Sequence, residues 1–338
     1  MKQSVKNNEL ENRVFAASAD NFNELAIDLF NYQYQNNIVY RRYCDVLKVN
    51  PATVNLIEKI PFLPISFFKS HEIKTTAFET DIVFESSGTT NSINSRHFVK
   101  DTDIYRQSFT SCFEKFYGPA EKKCILGLLP AYLERKNSSL VLMVDELIKS
   151  SSNELSGFYL YDHEKLHRTL IHNELLKIST LLIGVTYALL DFAEKHPMQL
   201  RHTIVMETGG MKGKRIEMAR PEVHKVLQTQ LGLSLIHSEY GMTELLSQAY
   251  SKGDGIFHCP NWMKILIREE DDPFHVRTAA TVVDKPITGV INIIDLANIY
   301  SCSFIATDDI GRLHSNESFE VPGRVDNSDI RGCSLMAL

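Results

Sequence analysis

The sequence predicts an α/β fold, a mainly parallel sheet layered with helices, followed by a β-rich subdomain. Three observations carry this. Short apolar runs at residues 124–129, 181–185, 203–206 and 233–236 have the length and composition of strands buried on both faces. Segments with helical spacing of apolar residues lie between or beside them, at 138–148, 165–178, 186–195 and 221–230. Strand–helix alternation of this kind argues parallel pairing. Beyond residue 255 the pattern changes, and 276–283 and 290–296 read as strands with turn signals between them.

The elements follow in order. Residues 20–47 contain neither Pro nor Gly and carry Leu25, Ile27, Leu29 and Phe30 near their start. They read as one or two helices, with Asp20 as N-cap. Residues 51–64 are punctuated by proline and read as extended, and 81–84 as a strand. The helix at 138–148 sets Leu140, Met143, Val144 and Leu147 on one face, and the helix at 186–195 stops ahead of Pro197. The expected organisation is a helical segment over 1–60, an α/β nucleotide-binding core over 61–255, a β-rich subdomain over 256–322 and a short tail over 323–338.

Composition narrows the function. The 338 residues are 43% hydrophobic and 23% charged, which is ordinary globular usage and enough chain to bury a core without staples. A net charge of −6 without a basic block argues against a nucleic-acid partner. The six cysteines show no C-x-x-C spacing, and no His-rich tract supports zinc chemistry. Residues 1–8 are polar, and no run reaches the roughly 18 apolar residues of a membrane helix, so a cytoplasmic, reduced protein without a membrane span is expected.

Three patterns suggest nucleotide chemistry. Ser238-Glu239-Tyr240-Gly241-Met242-Thr243-Glu244 follows the expected strand at 233–236. It offers an aromatic face, a glycine for close backbone approach, a hydroxyl for phosphate and a carboxylate for Mg²⁺. Upstream, Ser86, Ser87, Gly88, Thr89 and Thr90 form a hydroxyl-dense loop able to wrap phosphate oxygens, without the Lys of a Walker loop. Downstream stand Thr307-Asp308-Asp309-Ile310-Gly311-Arg312 and Gly323-Arg324-Val325-Asp326. An aspartate after a strand can take both ribose hydroxyls, and an arginine can reach phosphate. Each pattern alone also suits an ordinary surface loop.

Together, in this order, they resemble the adenylate-forming superfamily. Within it the chain is similar to the acyl-protein synthetases of the bacterial luciferin-aldehyde system, the synthetase component of a fatty-acid reductase, a branch near the phenylacetate-CoA ligases. The resemblance also rests on Pro61-Phe62-Leu63-Pro64-Ile65-Ser66-Phe67-Phe68-Lys69 and Thr208-Gly209-Gly210-Met211-Lys212-Gly213. The tail Gly323-Arg324-Val325-Asp326-Asn327-Ser328-Asp329-Ile330-Arg331-Gly332-Cys333-Ser334-Leu335-Met336 is its most branch-specific piece.

The resemblance implies the large-domain fold of these enzymes and ATP with Mg²⁺ as cofactors. It implies a carboxylic, fatty-acid substrate and an acyl-CoA-reductase-like protein partner. By the same likeness, the loop at Ser86 to Thr90 would hold the β- and γ-phosphates, Tyr240 with Gly241 would lie against adenine, and Thr243 would touch the α-phosphate. Glu244 would hold Mg²⁺, Asp309 the ribose with Arg324 nearby, and Gly209 and Gly210 the wall between adenine and acyl pocket. Cys333 would carry the acyl group, and Arg331, two residues earlier in the sequence, would favour the thiolate.

Two departures from the superfamily stand out. Asp308 replaces a usual glycine, and the C-terminal mobile domain, with its adenylation lysine, is expected to be largely absent. Lys100, Lys212 and Lys214 are candidates for the missing cation. An acyl- or aryl-CoA ligase and a non-catalytic nucleotide-binding module are the alternative readings.

Overall fold

The computed structural model describes residues 2–86, 93–129, 137–210, 214–216 and 218–325. Three helices open the chain: α1 (Lys2–Phe15), α2 (Phe22–Asn36) and α3 (Ile38–Val46). Then come β1 (Leu63–Pro64), α4 (Phe67–Ser70) and a hairpin of β2 (Ile82–Glu85) and β3 (Arg96–Val99). The α/β portion runs through α5 (Thr102–Tyr117), β4 (Cys124–Leu128), α6 (Ser139–Ser150), β5 (Gly157–Phe158) and α7 (His163–Leu175). It continues with β6 (Thr180–Val185), α8 (Thr186–Lys195), β7 (Thr203–Thr208), α9 (Arg220–Leu231) and β8 (His237–Tyr240). Seven strands follow: β9 (Ala249–Ser251), β10 (Phe257–His258), β11 (Met263–Arg268), β12 (Val276–Arg277), β13 (Ile287–Asp295), β14 (Phe304–Leu313) and β15 (Phe319–Arg324).

One sheet joins most of these strands, in the order β12-β11-β13-β14-β15-β10-β9-β8-β7-β6-β4-β5, with β1 added in parallel beside β14. From β5 to β8 the pairings are parallel, and from β8 through β9 to β12 they are antiparallel. The cause is visible in the residues. β4 and β6 are buried at every position, which requires cover on both faces. α8 supplies part of that cover through Leu189, Leu190 and Phe192. The change of sense falls at Tyr240, where β8 ends.

Three expectations are corrected. Residues 233–236 are not a strand: α9 runs to Leu231, Leu235 is exposed, and pairing begins only at His237. The strand is therefore the first part of the Ser238–Glu244 pattern itself, and its buried polar residues find partners. Ser238 Oγ meets His224 Nε2 at 3.3 Å, and the Thr208 hydroxyl donates to Glu239. Residues 276–283 hold only the two-residue β12, because the backbone turns over Ala279–Thr281, with Thr281 N and Oγ1 both donating to Thr278 O. The N-cap of α2 is Asn21 rather than Asp20, its Oδ1 accepting from Ser18 N at 2.8 Å.

The opening helices brace the loop between β13 and β14. Gln33 Nε2 donates to Asn298 O (3.0 Å) and Ile299 O (2.9 Å), and its Oε1 accepts from Ser303 N (3.0 Å). Asn37 separates α2 from α3, accepts from Tyr40 N and donates to Ser301 O at 3.0 Å. Both polar side chains are fully buried, so these bonds fix register as well as satisfying donors. Among the described residues no helix is long and apolar enough to cross a membrane.

Candidate functional site

The segment after β8 is held by three side chains that grip its backbone. His97, in β3, donates from Nδ1 to Thr243 O at 2.8 Å. Asn298 Nδ2 donates to Glu244 O at 2.7 Å. Asp295, at the end of β13, accepts from Leu246 N (2.8 Å), Ser247 N (3.1 Å) and Ser247 Oγ (2.6 Å). Burial pushes the His97 pKa down to about 4, so the ring is neutral at pH 7 and the bond to a carbonyl assigns the proton to Nδ1. Burial also pushes Asp295 up to about 6, against the bonds from Ser247, Leu246 and Ala297. At the start of the segment, a Cβ on Gly241 would stand 2.4 Å from Glu239 Oε1, so only glycine lets that carboxylate fold back.

Glu244 is the chemically distinctive group of this segment. Its side chain is buried, and burial raises its pKa. A hydrogen bond from Ser95 opposes the shift, and Arg324 and Lys69 oppose it as through-space charges. Ser95 N in turn donates to Ser86 Oγ at 2.9 Å, and Ser86 N to Ser95 O at 3.1 Å. Glu244 therefore lies against the base of the hydroxyl-rich loop. Ser87, Gly88, Thr89 and Thr90 lie outside the described residues. A buried carboxylate whose charged form is disfavoured, set beside the hydroxyl-bearing Ser95 and Ser86, fits a hard divalent cation such as Mg²⁺.

A second cluster crosses three strands. The Tyr240 hydroxyl donates to Asp309 Oδ2 at 2.8 Å, and Arg324 Nε to Asp309 Oδ1 at 2.6 Å. Asp309 and Arg324 are direct register partners of β14 and β15. Asp309 is 3% exposed, whereas the Arg324 side chain is 74% exposed. Burial, then the charge of Asp309, drives the Tyr240 pKa well above its usual range, so the phenol stays a donor. Its ring packs on Phe257 and Phe319, with centroids 5.8 and 5.5 Å away.

Gly209 and Gly210 follow β7, exposed at its carboxyl end. Gly209 has φ +66°, the left-handed region, and its carbonyl accepts from Thr186 Oγ1 at 2.8 Å. Thr186 also donates to the buried Glu207 (3.1 Å), which pairs with Arg220 at 3.0 Å. Arg220 Nη1 continues to Val321 O at 2.8 Å, tying β7 to β15.

The structure thus joins Tyr240, Asp309 and Arg324 directly, and Glu244 to Ser86 through Ser95. Thr243 is half-buried beside them. Of the lysines considered, Lys100 sits over the Tyr300 ring at 3.7 Å, Lys214 is exposed, and Lys212 lies outside the described residues, as does Cys333. Sequence reasoning missed Lys69, Ser95, His97, Asp295 and Asn298. Only Lys69 had a signal, as the last residue of the run at 61–69.

The sequence matches the family model of LuxE acyl-protein synthetases over residues 5–337. No curated protein matches it. The fold is similar to that of ATP-bound MatB from Rhodopseudomonas palustris, with 14% identity and a TM-score of 0.53 over 73% of this chain and 48% of that one. O-succinylbenzoate coenzyme A synthetase (MenE) from Bacillus subtilis in complex with AMP gives 15% identity and a TM-score of 0.48, over 73% of this chain and 50% of that one. A long-chain-fatty-acid-CoA ligase (FadD1) from Archaeoglobus fulgidus gives 14% and 0.47, over 73% and 52%. This chain spans about half the length of these solved structures.

Proposed function

We propose, from the premise that this chain belongs to the LuxE acyl-protein synthetase family, that it activates a fatty acid as acyl-AMP and passes the acyl group to the thiol of Cys333. The observation that supports this most is the buried Glu244, hydrogen-bonded by Ser95, which itself pairs with Ser86, and within the charge influence of Arg324 from the Tyr240–Asp309–Arg324 cluster.

In the first step a carboxylate oxygen of the acid attacks the α-phosphorus of ATP. The bond from that phosphorus to the bridging oxygen breaks, and pyrophosphate leaves with the electron pair. In the second, the Cys333 thiolate attacks the acyl carbon, AMP departs and a thioester remains. Little covalent chemistry falls to the protein beyond that thiol, so positioning and charge stabilisation carry the first step.

Asp309 would receive the ribose hydroxyls. Arg324, exposed and bonded to Asp309 on one oxygen, would move from that oxygen toward phosphate. Thr243 would meet the α-phosphate, and Ser86 with Ser87, Gly88, Thr89 and Thr90 the β- and γ-phosphates. Glu244 would hold Mg²⁺, which neutralises phosphate charge when bound. Gly209 and Gly210, without side chains, leave room where nucleotide and acyl chain would meet. A protein partner would take the acyl group from Cys333 in a cytoplasmic, reducing setting.

The other cysteines make poor acceptors. Burial pushes Cys44 up to about 12 and raises Cys112, Cys124, Cys259 and Cys302 as well, so each holds its proton at neutral pH. Labelled fatty acid with ATP and Mg²⁺ is therefore expected to give hydroxylamine-labile label on the protein. Cys333→Ser should keep acyl-AMP formation and lose that label. Label that persists in Cys333→Ser, or that maps to another cysteine, contradicts the transfer step. Efficient acyl-CoA formation by the wild type would replace it with a CoA-ligase activity.

A further inference from the structure

We propose that Glu164, His167 and His196 form a binding site for a first-row divalent cation of the zinc class, independent of the acid-activating site. The helix α7 begins His163-Glu164-Lys165-Leu166-His167, and the i, i+3 spacing of Glu164 and His167 sets both on one helix face. His196 joins them from the C-cap of α8. One donor atom from each residue lies within 4.8 Å of the other two. His196 Nε2 stands 3.8 Å from Glu164 Oε1, and the His167 and His196 ring centroids are 4.9 Å apart. The His196 ring stacks on Phe192 at 5.2 Å and 27°, which orients one ligand in advance.

Two imidazoles and a carboxylate suit zinc, copper or nickel, whereas magnesium and calcium take oxygen ligands. Zinc–ligand bonds of about 2.0–2.2 Å require the donors to draw closer than they stand here. The Glu164 side chain, 75% exposed, is free to make that adjustment. Three protein ligands leave a fourth position for water or an outside ligand.

A His-Glu-x-x-His helix also occurs in zinc proteases, where both histidines bind metal and the glutamate acts as base. Here His163 instead turns edge-on to Phe192, at 5.7 Å and 89°, and lies outside the three-residue set. Glu164 stands among the ligands, so the geometry points to binding and not to peptide hydrolysis.

Equilibrium dialysis of the full chain against micromolar Zn²⁺ tests the site, alongside Glu164→Gln, His167→Gln and His196→Gln. One saturable equivalent is expected in the wild type, weakened more than about tenfold in each variant. Bound Co²⁺ should show visible ligand-field bands without a thiolate charge-transfer band, which separates this site from any cysteine site. Glu164→Gln alters an exposed side chain and keeps the test valid if a histidine variant folds poorly. Absence of saturable binding, affinity unchanged in Glu164→Gln and His167→Gln, or a thiolate band would overturn the proposal.

Discussion

Glu244→Gln is expected to lower acid-dependent ATP–pyrophosphate exchange by roughly 10²–10³-fold, the usual cost of removing one charge-stabilising group from an active site. Glutamine keeps the shape of the side chain and a partner for Ser95 but removes the charge. Because burial already disfavours that charge, the variant should be as stable as the wild type or more so. A catalytic collapse without loss of stability separates a metal-binding role from a structural one. The raised pKa adds a pH signature. As pH falls, exchange should decline earlier than an ordinary glutamate, at 4.5, would dictate. Near-wild-type exchange by Glu244→Gln at limiting Mg²⁺ would remove the assignment.

Asp295→Ala is expected to destabilise the protein by about 3 kcal/mol or more. It strands the buried donors Leu246 N, Ser247 N, Ser247 Oγ and Ala297 N, each costing about 1–3 kcal/mol if unsatisfied, with part recovered by relaxation. Exchange should fall with it, because Asp295 holds the segment that carries Glu244. The pH dependence has a definite sign. The folded pKa of about 6 lies above the ordinary 3.8, so between these values the native state holds the extra proton. Stability from this group is therefore highest below about pH 4 and is lost as pH rises toward 6. Urea midpoints of wild type minus Asp295→Asn should fall across that window. A flat or rising difference would contradict the buried carboxylate.

The sequence made the parallel strands legible because apolar runs such as 181–185 are buried on both faces, which their composition states directly. It misplaced β8 because the strand that is buried, His237–Tyr240, is mostly polar, and its burial depends on His224 and Thr208 brought in by tertiary packing. The turn at Ala279–Thr281 was hidden by neighbouring valines and threonines, which favour strands without enforcing one.

The candidate site divides in the same way. Tyr240, Glu244, Asp309 and Arg324 could be named from local pattern. His97, Asn298 and Asp295 could not, since they act on backbone atoms of a distant segment and any local signal is a single polar residue beside an apolar strand. The bracing by Gln33 and Asn37 was equally invisible, because it joins residues more than 260 positions apart.

The most direct test of acid activation is ATP–pyrophosphate exchange by the wild-type chain across carboxylic acids of different length and aromaticity. Exchange that requires both acid and Mg²⁺, is strongest with fatty acids and is lost in Glu244→Gln is the predicted result. A folded chain that binds ATP yet supports exchange with none of the acids would contradict it.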